Sequence, residues 1–356
     1  MTTPEARLGV RTDLIGVAPY TSPQQSARYR MNTNESPYAP PERMVDEIVE
    51  EIKEVALNRY PDRDAGELYD LLSQHLEWPR SGLWIANGSN EVLMHLFLAF
   101  GGPGRTSLTF EPSYSLHTLI PSIAGTATVQ TMRTHDLSFD VEAAVGVVRE
   151  QQPDIIIVCS PNNPTGDVTP RSAVQALLEE SPGLVIVDEA YGDFAGDDAS
   201  ARSLIKDHPN LVITKTFSKA WRLAGVRIGY LMAHEDVISD LTRVRLPYHL
   251  SVPTQVVGRA ALRHAGETLR FVHAICEERD RIAIELQALG LKTYPSQANF
   301  VLFEVDDPEE TWGELIHRDI LVRAYPSVPR LEHCLRVTAG LAEETEAFIG
   351  AMREIA

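Results

Sequence analysis

Short apolar runs alternate with amphipathic segments over the first two thirds of the chain. Residues 155–159 and 184–187 are continuous apolar runs, which predict strands buried on both faces of a sheet. Between such runs, apolar residues recur at the three- and four-residue spacing of helices that cover a sheet. This alternation predicts an α/β layer with a mostly parallel sheet covered by helices, extending to about Tyr248.

The pattern also gives approximate bounds for the elements of this layer. Helices are predicted over residues 42–57, 67–76, 91–100, 114–124, 141–150 and 170–179. Strands are predicted over residues 84–86, 107–110, 128–132, 155–159, 184–187 and 211–213, with a further strand-like segment over 226–231.

The last third of the chain follows a different order of elements. Pro247 and Pro253 predict a break. Beyond it we predict a long amphipathic helix over 267–289, strands over 300–304, 321–323 and 334–338, and a final helix over 343–355. Helix followed by strands is typical of a smaller α+β domain. The predicted organisation is an N-terminal arm (1–30), a large α/β domain (46–249) and a small α+β domain (31–45 and 250–356).

Composition narrows the classes of function. The chain has 356 residues, 44 % of them hydrophobic, and can bury a large core. The 32 Lys and Arg residues are outnumbered by 50 Asp and Glu residues, which gives a net charge of −18. No nucleic-acid partner is therefore expected, and an anionic substrate would need a local cluster of Arg. The three cysteines lie far apart, which argues against disulfides or structural zinc and predicts a cytoplasmic protein. No signal peptide or membrane span is predicted.

The stretch from Leu211 to Leu231 carries the first candidate chemistry. Two hydroxyls and a lysine stand within four residues, at Thr216, Ser218 and Lys219, and Arg227 follows eight residues later. Hydroxyls and a guanidinium bind a phosphate, while a desolvated lysine amine can bond covalently to an aldehyde. Pyridoxal phosphate carries both groups and is the predicted cofactor. The simpler interpretation of Lys219 alone is a solvated surface lysine.

Two turns at strand ends could also contact a ligand. Residues 87–90 (Asn-Gly-Ser-Asn) lie between a predicted strand and helix, where backbone amides can bind an anion or simply cap the helix. Residues 160–166 (Ser-Pro-Asn-Asn-Pro-Thr-Gly) follow a buried strand, where α/β sheets bind ligands. A rigid β-turn explains the Pro and Gly residues but not the paired amides. Tyr114, after the strand at 107–110, could equally pack in a core.

Carboxylates cluster after the strand over 184–187. An Asp at the end of a hydrophobic strand, as at position 188, is costly unless it is paired. A rival interpretation is a metal site, because Glu189, Asp193, Asp197 and Asp198 lie nearby. No phosphate-binding P-loop or His pair accompanies them, so no metal is predicted.

Taken together, Ser218-Lys219, Leu223-Ala224-Gly225, Arg227 and Gly229 resemble the cofactor-lysine signature of fold-type I pyridoxal-phosphate aminotransferases. In detail the chain resembles the histidinol-phosphate aminotransferase family, with motifs in the same order from about Tyr20 to the C-terminus. The resemblance implies a fold-type I fold and a homodimer with shared active sites. Tyr60, in Asn58-Arg59-Tyr60-Pro61, matches a residue that reaches the cofactor phosphate of the neighbouring subunit.

The resemblance also implies roles for individual residues. Lys219 would hold the cofactor and act as catalytic base, Asp188 would face the pyridine nitrogen, and Tyr191 would donate to the phenolic oxygen. Tyr114 would stack on the pyridine ring, and Asn163 would bond the phenolic oxygen. The implied phosphate-binding residues are Gly88, Ser89, Asn90, Thr216, Ser218 and Arg227. The implied substrate-binding residues are Tyr20, Asn34, Arg323 and Arg336. Arg323 would bind a distal phosphate and Arg336 a carboxylate. The simpler interpretation of Arg336 is an exposed arginine at the edge of a strand.

The implied reaction is transamination between L-histidinol phosphate and 2-oxoglutarate. Its nearest alternative is an aromatic-amino-acid (phenylalanine) aminotransferase, followed by a lyase or decarboxylase that uses the same cofactor. A ligand-binding or scaffold dimer without chemistry and a metal-dependent phosphotransferase are the alternatives from other classes. One position and one segment depart from the family pattern: Asn90 replaces a more frequent Asp, and residues 324–329, next to the distal-group pocket, are atypical.

Overall fold

A computed structural model describes residues 9–17, 19–20 and 25–355. The strands are β1 (Tyr29–Arg30), β2 (Leu83–Ala86), β3 (Thr106–Glu111), β4 (Ala127–Met132), β5 (Ile155–Cys159), β6 (Leu184–Asp188), β7 (Leu211–Thr216), β8 (Gly229–Met232), β9 (Phe300–Glu304), β10 (Ile320–Leu321), β11 (Arg323–Ala324) and β12 (Cys334–Thr338). The helices are α1 (Glu42–Lys53), α2 (Gly66–Leu76), α3 (Ser89–Phe100), α4 (Leu116–Ala124), α5 (Val141–Gln151), α6 (Arg171–Glu180), α7 (Gly192–Ala195), α8 (Glu235–Leu241), α9 (Val252–Arg263), α10 (Ala265–Leu269), α11 (Val272–Ala288), α12 (Pro308–His317) and α13 (Ala342–Ile355).

The central sheet has the strand order β2-β8-β7-β6-β5-β3-β4. Strands β3 to β7 pair in parallel, whereas β8 runs antiparallel to both β7 and β2. The register pairs Cys159 with Asp188 and Asp188 with Thr214, so β5, β6 and β7 end at one edge. Ligands of α/β proteins bind outside the carboxyl ends of such strands. The parallel pairing of β3 to β7 confirms the predicted α/β layer with a mostly parallel sheet.

Helices cover the sheet on both faces, as the continuous apolar strands predict. Along β5, Ile155 and Ile157 pack into a core with helices α3, α4 and α8, whereas Ile156 and Val158 pack into a core with α2, α5, α6 and α9. Successive side chains of a strand point to opposite faces, so a strand between two cores needs apolar residues at every position.

A smaller α+β unit packs against this edge of the sheet. Strands β11, β12 and β9 form an antiparallel sheet, and β1 pairs in parallel with β10. Residues of α11, α13, β9 and β12 share a third core, which also takes in Met31, Tyr191 and Phe194. The register of β11 and β12 places Arg323 directly opposite Arg336.

Several predicted bounds differ from the structure. The predicted break is an irregular segment between α8, which ends at Leu241, and α9, which begins at Val252. Helix α9 itself was not predicted: Pro253 lies in its first turn, where proline is tolerated, and Ser251 caps the helix through the amide of Thr254. The helix predicted over 267–289 is two helices, α10 and α11, separated near Phe271, which stacks on Tyr38 with ring centroids 4.1 Å apart. The first long helix ends at Lys53 instead of residue 57. The strand predicted over 321–323 is divided between β10 and β11.

The packing of α9 also bears on the predicted domain boundary at residues 249 and 250. Ala260 and Ala261 of α9, like Met44 of α1, lie in the first core of the large sheet. We therefore propose that the large unit includes α1 and α9 and that the boundary falls near residue 270.

In the part of the chain that the structure describes, no helix combines the length and the apolar character that crossing a bilayer requires.

Candidate active site

A cavity of about 240 Å³ lies at the carboxyl edge of the central sheet, facing the smaller unit. Most of the site residues predicted from the sequence line it. These are Tyr20, Asn34, Ser89, Asn90, Tyr114, Asn163, Asp188, Tyr191, Thr216, Ser218, Lys219, Arg227, Arg323 and Arg336. Gly88 lies beside the cavity under Arg227, and Tyr60 lies elsewhere on the surface.

One end of the cavity gathers groups that bind anions. Helix α3 begins at Ser89, so the amides of Ser89 and Asn90 have no acceptor within the helix. Gly88 precedes them with φ +87°, and a Cβ atom at this position would lie 2.7 Å from Nη2 of Arg227. Glycine therefore lets the guanidinium lie against the start of the helix. The chemistry of this end fits a phosphate.

Two hydroxyls from the end of β7 complete this anion-binding end. Nη1 of Arg227 donates to Oγ of Ser218 at 3.1 Å, which leaves the hydroxyl proton of Ser218 for another acceptor. The Thr216 hydroxyl accepts from the Ser218 amide at 3.1 Å and lies within 3.3 Å of the Ile228 carbonyl. The β7–β8 connection thus holds the hydroxyls and the guanidinium on one side of the cavity.

The opposite end contains a buried carboxylate. Oδ2 of Asp188 lies 2.9 Å from Nε2 of His117, and Oδ1 accepts from the Thr214 hydroxyl at 3.1 Å and from the Ala190 amide at 3.2 Å. These partners satisfy a carboxylate that is only 2 % exposed. The arrangement fits the predicted role of an anion that faces a protonated ring nitrogen.

His117 is a site residue that the sequence prediction missed. It is 1 % exposed, lies three residues after Tyr114 at the start of α4, and contacts the Tyr114 ring edge-on at 5.4 Å. Its other nitrogen, Nδ1, lies 3.3 Å from Oγ of Ser113. Residues three apart on a helix share a face. Once Tyr114 was assigned to the site, this spacing could have indicated that His117 also lies there.

Tyr191 projects into the cavity with its hydroxyl proton available. Its oxygen accepts a hydrogen bond from Nδ2 of Asn34 at 2.8 Å, and Oδ1 of Asn34 in turn accepts from the Thr338 hydroxyl at 3.0 Å. Burial raises the pKa of Tyr191 above its ordinary value, so the phenol stays protonated. Asn34 was predicted to line the substrate site. In the structure both polar atoms of its amide are bonded, and they orient Tyr191.

Lys219 lies between the two ends of the cavity. Its Nζ donates to the Thr33 carbonyl at 2.8 Å and lies 5.6 Å from the centre of the Tyr191 ring. Burial, aided by the positive charges of Arg336 and Arg227, lowers the pKa of Lys219 to about 7. A large fraction of this amine is therefore uncharged near neutral pH and can attack a carbonyl.

The two predicted substrate arginines have different surroundings. Arg336 is buried, donates to Oδ1 of Asn163 and, at 2.6 Å, to the Asn32 carbonyl, and its Nε has no partner among the described residues. Arg323 lines the same cavity and forms no hydrogen bond or ion pair within the described part of the chain. An anion bound in the cavity would supply the missing acceptors.

Three consecutive N-terminal residues bond to three different site residues. Asn32 accepts from Arg336, Thr33 accepts from Lys219, and Asn34 donates to Tyr191. We name residues 32–34 the N-terminal clamp. Strand β1, immediately before it, pairs with β10 of the smaller unit and fixes its position. Side chains from both units are thereby held around one cavity.

Tyr60 lies outside the cavity, in a groove at the surface. Its side chain is 80 % exposed, and its ring stacks on Tyr248 with centroids 4.5 Å apart. Leu57 and Pro247 line the same groove, and Leu57 is 74 % exposed. The prediction that Tyr60 reaches the cofactor of a neighbouring subunit stays a prediction.

Two carboxylates of the rival metal interpretation, those of Glu189 and Asp193, are bonded to protein groups. Glu189 accepts from the Ser200 hydroxyl and from the Ala201 amide, and Asp193 pairs with Lys215 at 2.7 Å. Among the described residues, one group of possible ligand atoms, from His117, Cys159 and Asp188, lies within 4.8 Å. Burial raises the pKa of Cys159 well above its ordinary value, which opposes the thiolate that a metal would need.

The lowered pKa of Lys219 predicts how the protein without cofactor captures pyridoxal phosphate. Only the neutral amine attacks the aldehyde, so the capture rate should rise about tenfold per pH unit below pH 7 and level off above it. Stopped-flow absorbance would measure this rate. Pyridoxal, which lacks the phosphate, is the control for titration of the phosphate group. A rate that keeps rising to pH 10 would contradict the assignment.

Comparison with known proteins gives concordant matches. The family described as aminotransferase class I and II matches residues 29–352. The histidinol-phosphate aminotransferase of Mycobacterium avium (strain 104) is 45 % identical, covering 98 % of this chain and 89 % of the relative. That of Rhodococcus jostii (strain RHA1) is 44 % identical over 98 % and 93 % of the two chains. The solved histidinol-phosphate aminotransferase of Sinorhizobium meliloti, in complex with pyridoxal-5'-phosphate, has a TM-score of 0.87 at 24 % identity, with 98 % and 99 % coverage, and so shares the fold.

Proposed function

Because the chain belongs to the class I and II aminotransferases, and among them to the histidinol-phosphate aminotransferase family, we propose that it transfers the amino group of L-histidinol phosphate to 2-oxoglutarate. The products are imidazole-acetol phosphate and glutamate, and the reaction belongs to histidine biosynthesis. The observation that carries this proposal is the grouping of Lys219, the anion-binding end and the two arginines around one cavity.

The residues present fit pyridoxal 5'-phosphate as the cofactor. When bound, it supplies an aldehyde that condenses with primary amines and a ring that accepts electrons released at Cα. Ser89, Asn90, Thr216, Ser218 and Arg227 would hold its phosphate, with Gly88 leaving room for the guanidinium. Tyr114 and Asn163 would position the ring. The carboxylate of Asp188 would hold a proton at the ring nitrogen, and His117 and Thr214 fix its orientation.

Lys219 and Tyr191 handle the protons of the reaction. Lys219 Nζ would hold the cofactor through its aldehyde and, as an uncharged amine, would take the proton from the donor Cα. Its lowered pKa, near 7, suits an amine that must both accept and release a proton near neutral pH. The Tyr191 hydroxyl, which accepts from Asn34 and keeps its own proton, would donate to the phenolic oxygen of the cofactor.

The two arginines would bind the anionic groups of the substrates: histidinol phosphate carries one, its phosphate, whereas glutamate carries two carboxylates. Arg336, fixed by Asn163 and the Asn32 carbonyl, would bind a carboxylate through its guanidinium. Arg323, without a bonded partner in the described chain, would bind the phosphate of histidinol phosphate or the distal carboxylate of glutamate. One cavity can then accept both amino donors in turn, as a two-step exchange of the amino group requires. Tyr20 lies at the same cavity and would close it.

The direct test adds amino donors to the purified, cofactor-loaded protein and follows its absorbance spectrum. Histidinol phosphate should convert the bound cofactor to its amino form, and 2-oxoglutarate should reverse the change. Replacing Arg323→Ala should lower kcat/KM for histidinol phosphate about 100-fold, because a charge-assisted contact to the phosphate is lost. Turnover of phenylalanine should be unaffected by this substitution.

Other outcomes would identify the alternatives. Preference of the wild-type protein for phenylalanine over histidinol phosphate would indicate an aromatic-amino-acid aminotransferase. Product release without any keto acid would indicate a lyase or decarboxylase. A colourless protein whose activity is lost to a chelator would indicate a metal-dependent phosphotransferase.

We also propose a cytoplasmic homodimer with Tyr60 directed at the neighbouring site. The support is the exposed apolar groove beside Tyr60, together with Leu246, which is 73 % exposed. Large exposed apolar side chains in one patch are typical of a covered interface. The three cysteines are free thiols, which is consistent with a reducing compartment. Sedimentation velocity should give twice the 39.5 kDa of one chain, and a monomer would refute the shared site.

A further inference from the structure

Tyr325 lies between the two substrate arginines, in the stretch that departs from the family pattern. It follows β11 directly and lines the cavity with Val328 and Leu331. The centre of its ring lies 5.9 Å from Cζ of Arg323 and 5.9 Å from Cζ of Arg336. Both guanidinium groups thus interact with the same aromatic ring.

The strand register explains why the two arginines come so close. Arg323 and Arg336 are directly opposed in β11 and β12, so their side chains leave the sheet on the same face. Like charges in this arrangement repel each other, and among the described residues no carboxylate pairs with either of them. The Tyr325 ring partly compensates this repulsion, and an anion bound in the cavity would compensate the rest.

The hydroxyl of Tyr325 is the unused group in this arrangement. It is buried and has no hydrogen-bond partner among the described residues. A buried donor without a partner is unfavourable, and a ligand in the cavity can supply the acceptor. Burial raises the pKa of Tyr325, so the phenol keeps its proton and can donate it.

We propose that the Tyr325 hydroxyl donates a hydrogen bond to the distal phosphate of the amino donor, beside Arg323, and so selects phosphorylated substrates. This inference rests on the function proposed above. It adds a neutral donor to the distal site and gives a role to the atypical segment over residues 324–329. Tyr325 is a specificity-determining residue in this account, and it takes no part in proton transfer at Cα.

The experiment compares Tyr325→Phe with the wild-type protein on L-histidinol phosphate and on L-histidinol, which lacks the phosphate. Conversion of the bound cofactor in a single half-reaction gives kcat/KM for each donor. Removing one hydrogen bond to a charged group should lower kcat/KM for histidinol phosphate about 10- to 100-fold, with no matching loss for histidinol. The preference for the phosphorylated donor should therefore fall by the same factor.

Tyr294→Phe is the matched control. Tyr294 packs in the same small core as Tyr325, but its hydroxyl is already bonded to Glu304 and Lys292, outside the cavity. The Tyr294→Phe substitution should leave the preference for the phosphorylated donor unchanged. If Tyr325→Phe lowers kcat/KM equally for both donors, or does not lower it at all, the role of Tyr325 is overturned while the proposed function stands. A wild-type protein that does not convert histidinol phosphate overturns the proposed function, and this inference with it.

Discussion

Lys219→Ala should lower kcat for transamination by about 10⁴-fold while the protein stays folded. Loss of a positioned general base accounts for up to about this factor. The fold should persist, because Nζ of Lys219 forms one hydrogen bond in the described chain, to the Thr33 carbonyl, and its burial is unfavourable to the charged amine. Steady-state kinetics and circular dichroism would measure the two effects.

Lys215, four residues earlier, makes this test specific. It is also buried, but it pairs with Asp193 at 2.7 Å, which raises its pKa above the ordinary value. It therefore stays charged and cannot attack an aldehyde. Borohydride reduction of the cofactor-loaded protein should label the peptide that contains Lys219 and not Lys215. Exposed Lys206→Ala is the activity control, and retained turnover in Lys219→Ala would refute the assignment.

Asp188→Asn should lower kcat by about 10²- to 10³-fold. Truncating one partner of a buried charge pair costs roughly 3–5 kcal/mol, and about 1.4 kcal/mol corresponds to a factor of ten. The amide cannot hold a proton at the ring nitrogen as the carboxylate does. Thr214→Val, which removes one of the hydrogen bonds to this carboxylate, should cost about tenfold.

Kinetics and cofactor retention would be measured together for both variants. Asp236→Asn, at an exposed helix start, is the matched control. Wild-type activity in Asp188→Asn would contradict the role of the carboxylate. A larger loss in Thr214→Val than in Asp188→Asn would show that the site depends on packing here instead of charge.

The hydrophobic pattern and the turn residues predicted those parts of the fold that depend on residues close together in the sequence. The apolar strands β5 and β6 and the turns after them could be predicted because strand burial and turn chemistry are written in neighbouring residues. The family resemblance then gave residues such as Asn163 and Arg227 roles that spacing alone leaves open. The structure brings both to one cavity.

Other features depend on contacts between distant parts of the chain. His117 approaches Asp188 across 71 positions, and its spacing from Tyr114 indicates a shared helix face but not this contact. Helix α9 was missed because Pro253 predicts a break, whereas in the first turn of a helix it is compatible with one. Asn34 was predicted to line the substrate site and does line the cavity, but a sequence does not show that Thr338 and Tyr191 bond both polar atoms of its amide.

The N-terminal clamp has a consequence for how the protein is made. Asn34 leaves the ribosome well before its partner Thr338, which lies 304 positions later, and β1 must await the emergence of β10. Contacts of such long range form late in folding, since the loop between them must close first. The pocket around Lys219 is therefore not finished until residues 320–338 have emerged, and a nascent chain keeps its reactive amine incompletely enclosed up to that point.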